Sequence, residues 1–173
     1  MVNTGRFDGA KLIEANFPDD DGTQGPVLAA ALQSYAAGAP GAYVEVVRAL
    51  QPSRLLVPVV ALLGEVEYDE NGLAHDKSSD MATVLIQNAA GEKGLLAFTS
   101  TASLEAWNAE ARPVPAPAPV AANSALQEEA VALLVDIAGP VPFTLTGADL
   151  KGVAAGWELV QVDDEWAWAA PAE

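Results

Sequence analysis

Apolar residues fall at helical spacing twice in the first third of the chain. Leu28, Ala31, Leu32 and Tyr35 share one face of a segment that opens at Gly25-Pro26 and stops at Gly38. Proline suits the first helical position and glycine the residue after the last. Tyr43, Val46, Val47 and Leu50 then follow the i, i+3, i+4, i+7 rule, which predicts a second amphipathic helix ended by Pro52. Leu55 to Leu63 is apolar at both parities, as in a strand covered on both faces. Pro58 inside it has no N–H to give a ladder and implies an edge position or a bulge. Met81–Gln87 and Leu95–Thr99 read as strands joined by a turn over Asn88–Gly94.

Downstream, Ser100 or Thr101 caps a short helix carrying Leu104 and Trp107. Prolines at 113, 115, 117 and 119 alternate. No two of them are three apart, so they do not present the three-residue period of a polyproline ligand, and an extended edge or connector is expected. Ser124 with Gln127 has the form of a capping box, predicting a helix from there to about Ala130. Val131–Ile137 and Val141–Leu145 are further strands. Thr146 with Asp149 is read as the cap of the next helix, and a terminal hairpin is expected around Trp157–Trp168, turning at Asp163-Asp164-Glu165. These elements predict one α+β (or α/β) domain, a mixed sheet of about five strands with helices packed against it. Its expected limits are residues 26–155, preceded by a flexible acidic arm over 1–25 and followed by a hairpin or tail over 156–173.

Composition narrows function mainly by exclusion. Asp plus Glu number 24 against 8 Lys plus Arg, a net charge of −16. The cations Arg6, Lys11, Arg48, Arg54, Lys77, Lys93, Arg112 and Lys151 are scattered singly. Nucleic acids and anionic membranes need a basic patch to displace counterions, and none exists here. The acid excess favours solubility and steering of a basic partner. The absence of cysteine removes disulfides, thiolate metal sites and thiol nucleophiles. No apolar run approaches the ~20 residues of a spanning helix. The N-terminus lacks the apolar core of a signal peptide, so a cytoplasmic location is expected.

The densest polar string is His75-Asp76-Lys77-Ser78-Ser79-Asp80. A lysine beside serines suggests a Ser–Lys pair, but neither a Gly-x-Ser-x-Gly elbow nor Ser-x-x-Lys spacing accompanies it. No catalytic set is expected there. Lys77, Ser78, Ser79 and Asp80 are instead the candidate ligand- or partner-binding residues, the amine pairing an acidic group and the hydroxyls hydrogen-bonding. Glu67, Asp69, Asn71 and Gly72 imitate half a calcium loop, but Ser78 stands where the bidentate acid belongs. One histidine, and an Asp19-Asp20-Asp21 run that reads as a solvated charge cluster, make no metal centre. With neither a dinucleotide fingerprint nor a P-loop, no cofactor is expected.

Several strings are similar to those of the SseB-type (enhanced serine sensitivity) family in its actinobacterial-like form. They are Arg54–Val60, Gly64–Glu67, Lys77–Ala82, Ala97–Ser100, Arg112–Pro115 and Asp136–Phe143. The resemblance runs from about Pro26 to Leu150 and implies a cytoplasmic α/β domain without an established activity. Its name associates it with serine or sulfur amino-acid physiology. The expectation is a non-enzymatic binding or regulatory module that takes a protein partner or a small molecule. The alternatives are a small-molecule sensor or enzyme, and a scaffold that self-associates through a sheet edge or the tryptophan tail.

Overall fold

The structure, a computed structural model, describes residues 2–6, 17–62, 67–68, 74–75 and 80–172, with the side chains of 17–60 and 82–172. In chain order the elements are β1 (Val2–Arg6), α1 (Pro26–Ala36), α2 (Ala42–Leu50), β2 (Arg54–Leu62), β3 (Glu67–Tyr68), β4 (Ala74–His75), β5 (Asp80–Gln87) and β6 (Lys93–Ala97). They continue with α3 (Thr101–Trp107), β7 (Arg112–Pro117), α4 (Ala118–Gln127), β8 (Ala132–Val135), β9 (Phe143–Thr146), α5 (Gly147–Ala154), β10 (Glu158–Val162) and β11 (Glu165–Ala169).

Six strands form a mixed sheet in the order β7-β2-β5-β6-β8-β9, with β1 added along β5. Among the described residues only β6 and β8 run parallel; the other pairings are antiparallel. The sheet is curled because β5 changes partner along its length. Its first half pairs with β2 (Val59↔Thr83) and its second with β6 (Leu85↔Leu95), while β2 and β6 meet at a Leu56–Phe98 bridge. Pro58 lies at that junction. Leu56 donates its N–H to Phe98, so Pro58, two residues on, turns its donorless nitrogen toward the gap between β6 and β5. The proline is therefore inside the sheet, where the ladder is already interrupted.

Alternation sorts the side chains to two faces. Leu55, Val57, Leu85, Leu95, Leu133 and Leu145 join the apolar faces of α1, α2, α4 and α5 in the larger core. Leu56, Val84, Leu96 and Phe98 join Leu104 and Ala111 in the smaller one, with Trp107 stacked 5.7 Å from Phe98 on the α3 side. Thr83, 1% exposed, carries a hydroxyl without a partner. It faces a slot of about 10 Å³ under α4, lined by Val57, Val59, Val114 and Ala121, room for about one water.

Two capping expectations are corrected. The fourth helix begins at Ala118, just after Pro117, and Ser124 sits inside it with its hydroxyl on the Val120 carbonyl. Proline in the first turn starts this helix six residues before the Ser-x-x-Gln string. Thr146 does precede α5, but its side chain makes no cap hydrogen bond. Asp149 is engaged elsewhere. Ser100, by contrast, caps α3 and accepts from Ser103 N at 3.1 Å. Within the segment read as an arm, Val2–Arg6 pair with β5, and Asp20–Gln24 are tied to the body.

That tie is part of a buried polar clasp. Asp136 follows β8 in the left-handed conformation (φ 52°) and is 0% exposed. One carboxylate oxygen accepts from Thr99 N (2.8 Å) and Ser103 Oγ (2.7 Å), and the other from Thr99 Oγ1 (2.6 Å). Thr99 Oγ1 accepts in turn from Gln24 Nε2, and Arg54 donates to Thr99 O, Asp20 Oδ1 and Thr23 O. The ends of the parallel strands, the first turn of α3, the start of β2 and the 20–24 segment are thus one network. Bonds to a charged acceptor contribute about 1.5–3 kcal/mol each, and buried donors left unpaired cost more. Asp136→Ala is therefore expected to destabilise the fold by about 3 kcal/mol or more, and Asp136→Asn, which keeps one acceptor, by less. Urea unfolding measures both. An alanine variant with the native midpoint would show that the clasp holds nothing.

Candidate functional site

A cleft beside an exposed aromatic lies between α2 and the terminal hairpin. β10 and β11 pair from Glu158↔Ala169 to Val162↔Glu165 around a two-residue turn, Asp163-Asp164. Both turn residues have positive φ, 48° and 66°. A right-twisted two-residue hairpin requires this geometry, and Asp tolerates it better than most residues. The turn is where the sequence placed it.

A lone two-stranded ribbon is marginal in water, so this one depends on what it packs against. Pairing puts Leu159, Gln161, Trp166 and Trp168 on the face toward the body. Trp168 lies flat on Gly152 of α5, where a Cβ would come within 2.2 Å of the ring. Its indole N–H donates to Asp149 Oδ1 at 2.9 Å, while Tyr43 OH donates to Asp149 Oδ2 at 2.7 Å. Asp149 thereby joins hairpin, α5 and α2 instead of closing a cap. Tyr43 and Tyr35 also pack on Phe143, with centroids 5.4 and 5.2 Å away. Arg48 stands over the Trp166 ring, 5.7 Å from its centroid, within cation–π range.

Between Arg48, Gln51 and the hairpin a cleft of about 510 Å³ remains, lined also by Glu158, Leu159, Val160, Gln161 and Trp166. Arg48 joins it to a second groove of about 450 Å³ between α1 and α2, where Val27 is 73% exposed. Trp166, Trp157 and Val162 are 41%, 41% and 55% exposed beside the cleft. Exposed aromatic and aliphatic groups rimmed by charge are characteristic of recognition surfaces.

The sequence candidates fare differently. Lys77, Ser78 and Ser79 lie outside the described residues, as do Asp69, Asn71, Gly72 and Ser78 of the calcium-like string. Asp80 opens β5, opposite Leu62 of β2, and His75 is in β4 opposite Glu67; their side chains are outside the description. Among the described residues no group of three His, Asp or Glu is placed to hold a metal ion, and no helix is long and apolar enough to cross a membrane. Asp136, Thr99 and Ser103 are the polar cluster the sequence reading missed. Their acceptors and donors are spent on each other in a closed interior, an arrangement that holds structure and leaves no oxygen for a substrate.

A family model for the SseB protein N-terminal domain matches residues 28–151. The chain belongs to the SseB family. The match runs from the first buried residue of α1 into α5, so it includes the whole sheet from β2 to β9 and the α2 wall of the cleft. The SseB hairpin wall, β10–β11, and the 20–24 segment lie beyond the matched residues. No curated protein and no solved structure matches the chain.

Two outcomes test this arrangement. Gly152→Ala in the SseB chain is expected to push Trp168 off α5, costing about 1–3 kcal/mol as an overpacking change and shifting tryptophan emission to the red. Native emission and native stability would remove Gly152 as the seat of the indole. Tyr43 supplies the pH test. Burial first, then its hydrogen bond to Asp149, raise its phenol above the ordinary tyrosine range. The folded state thus favours the neutral phenol. Its contribution is complete below about pH 10 and is lost as pH rises through the raised value. Phenolate absorbance during alkaline titration should lose its latest component in Tyr43→Phe; superimposable profiles would sink the assignment.

Proposed function

We propose that this SseB protein is a non-enzymatic binding module of the cytoplasm and that it takes a protein partner in the cleft between α2 and the terminal hairpin. The observation that carries the reading is Trp166. It is a large aromatic left 41% exposed at the rim of a 510 Å³ cleft, fixed by a cation instead of being packed away. Burial of an exposed tryptophan is among the largest single contributions to protein association. Lys77, Ser78, Ser79 and Asp80 are proposed as a second contact on their chemistry alone: an ammonium for an acidic group, hydroxyls and a carboxylate for donors.

A second reading, a small-molecule sensor linked to serine or sulfur amino acids, draws support from the cleft volume, which lies within the range of ligand pockets. Against it, four of the seven lining residues, Arg48, Gln51, Glu158 and Gln161, are polar, whereas small-molecule pockets are predominantly apolar. A thermal shift with serine that Arg48→Ala abolishes would favour the sensor.

The test of the main reading is affinity capture with the wild-type chain, an Arg48→Ala, Trp166→Ala variant and a Lys77→Ala, Asp80→Ala variant. The first variant is expected to lose at least tenfold of a partner that the wild type retains. The second loses part of it if the polar string contributes. Identical partner sets on all three chains would overturn the proposal.

A further inference from the structure

The backbone of β10 suggests how a partner would be held. Four consecutive residues of that strand, Glu158 to Gln161, line the same cleft. Consecutive residues alternate their side chains, so what they share toward one side is a strand edge. The hairpin register says which groups lie on it. Val162 and Glu165 flank a two-residue turn and form a hydrogen-bonded pair. Val162, Val160 and Glu158 therefore spend their N–H and C=O groups on β11. Leu159 and Gln161 aim theirs outward, and so does the Trp157 carbonyl. That carbonyl already accepts a bond from Gln51 Nε2 across the mouth of the cleft. The Trp157 N–H donates to Gly152 O of α5, and among the described residues no group pairs with Leu159 or Gln161 on this edge.

The large sheet is closed along its β7 edge. In β7, Pro113, Pro115 and Pro117 oppose Pro58, Leu56 and Arg54. Val57, two residues from Leu55 and Val59, opposes Val114. One parity of β7 faces β2, and the prolines occupy the other, so every missing N–H lies on the outer side. No strand can add there. β10 carries no proline and stands open beside a cleft.

We propose that β10 accepts an extended, net-positive segment of a partner protein as a third strand, running between the hairpin and α2. This rests on the cleft reading above and adds the mode and the partner's chemistry. Leu159 and Gln161 supply two donors and two acceptors to the incoming backbone, as in strand addition generally. Charge selects a cationic segment. The chain carries −16 overall, and Glu158, Asp163, Asp164 and Glu165 surround the ribbon. Arg48, the cation among the residues lining the cleft, is held over Trp166. On the outer face Val160, Val162, Ala167 and Ala169 make an apolar stripe that β-branched side chains of a new strand would extend. A second copy fits worse. Antiparallel pairing of β10 with itself sets Asp163-Asp164 of each copy near Glu158 of the other, and like charges across a sheet repel.

The experiment uses the full chain and two synthetic peptides, one of Lys-Val repeats and one of Glu-Val repeats, with amide exchange read by NMR. The Lys-Val peptide is expected to slow exchange at Leu159 and Gln161 at least tenfold, to leave Val160 and Val162 as they were, and to bind at least tenfold tighter than the Glu-Val peptide. Gln161→Pro removes one outward N–H and spares the hairpin ladder, so it should weaken binding at least tenfold with native tryptophan emission. If that variant loses its native emission, protection of the wild-type Leu159 and Gln161 amides decides alone. Peptide-induced shifts at Arg48 and Trp166 without amide protection would overturn strand addition and leave the cleft reading standing. Equal binding of both peptides, no response in the hairpin, or a dimer in light scattering with these amides already protected would each overturn the proposal.

Discussion

The carboxylate of Asp136 must be satisfied where water does not reach it, and much of the fold is arranged around meeting that demand. Burying an unpaired charge is prohibitive, so each oxygen needs donors fixed in place. They come from Thr99 at the end of β6 and from Ser103 in the first turn of α3. Satisfying one anion therefore fixes the distance between the two parallel strands, the entry angle of α3 and the left-handed exit from β8. Among the described residues it is the one parallel pair in the sheet, and a short hairpin cannot set it. The clasp takes the place of local connectivity there. It then recruits Gln24 and Arg54, so the 20–24 segment closes over the same strand ends.

That interaction also bears on which parts of the surface are closed and which are left open. In open parallel α/β sheets the carboxyl ends of the strands are the usual place for a ligand, and the end of the β6–β8 pair is the corresponding position in this mostly antiparallel sheet. Here the position is filled by the chain's own groups: Asp136 between the strands, Gly22 O on Thr101 N, and Gln24 on Thr99. Open concave surface remains along α2, as a groove of about 350 Å³ at Thr23, Pro26 and Arg54 and as the larger cleft where the ribbon leans on α2. Rigid scaffold and open edge are separate parts of one design.

Much of this was legible in the sequence. The heptad-like spacing of Tyr43, Val46, Val47 and Leu50 gave α2 because its buried face is continuous, and Asp163-Asp164 gave the hairpin turn because few other residues accept two positive φ values in a row. The alternating prolines pointed to an extended edge or connector because they lack a three-residue period; the register on β2 adds that period two places every absent donor on one side. What misled was local grammar that tertiary contacts override. Ser124 and Gln127 spell a cap, but Pro117 and Pro119 start the helix earlier, and the hydroxyl turns back to Val120. Thr146 and Asp149 spell another, but Asp149 is worth more bridging Tyr43 and Trp168. Asp136 sat in a plain strand-end string, with no signal that its partners were 33 and 37 residues away. The polar density of Lys77–Asp80 drew attention by composition, whereas the cleft is made of residues as ordinary as Arg48, Gln51 and Leu159, brought together only by the fold.

The acid excess gains a specific meaning from this geometry. An open strand edge is a hazard, because any extended chain pairs with it regardless of sequence. β7 answers with proline, which rejects every partner. The hairpin answers with charge, which rejects only some. If β10 accepts a strand as proposed, Asp163, Asp164, Glu165 and Glu158 would repel a second copy of an acidic chain while attracting a cationic segment at long range, so the same residues would disfavour self-pairing and bias the choice of partner. Removing the acids would leave Leu159 and Gln161 as ready to pair as before, but with nothing to say with whom.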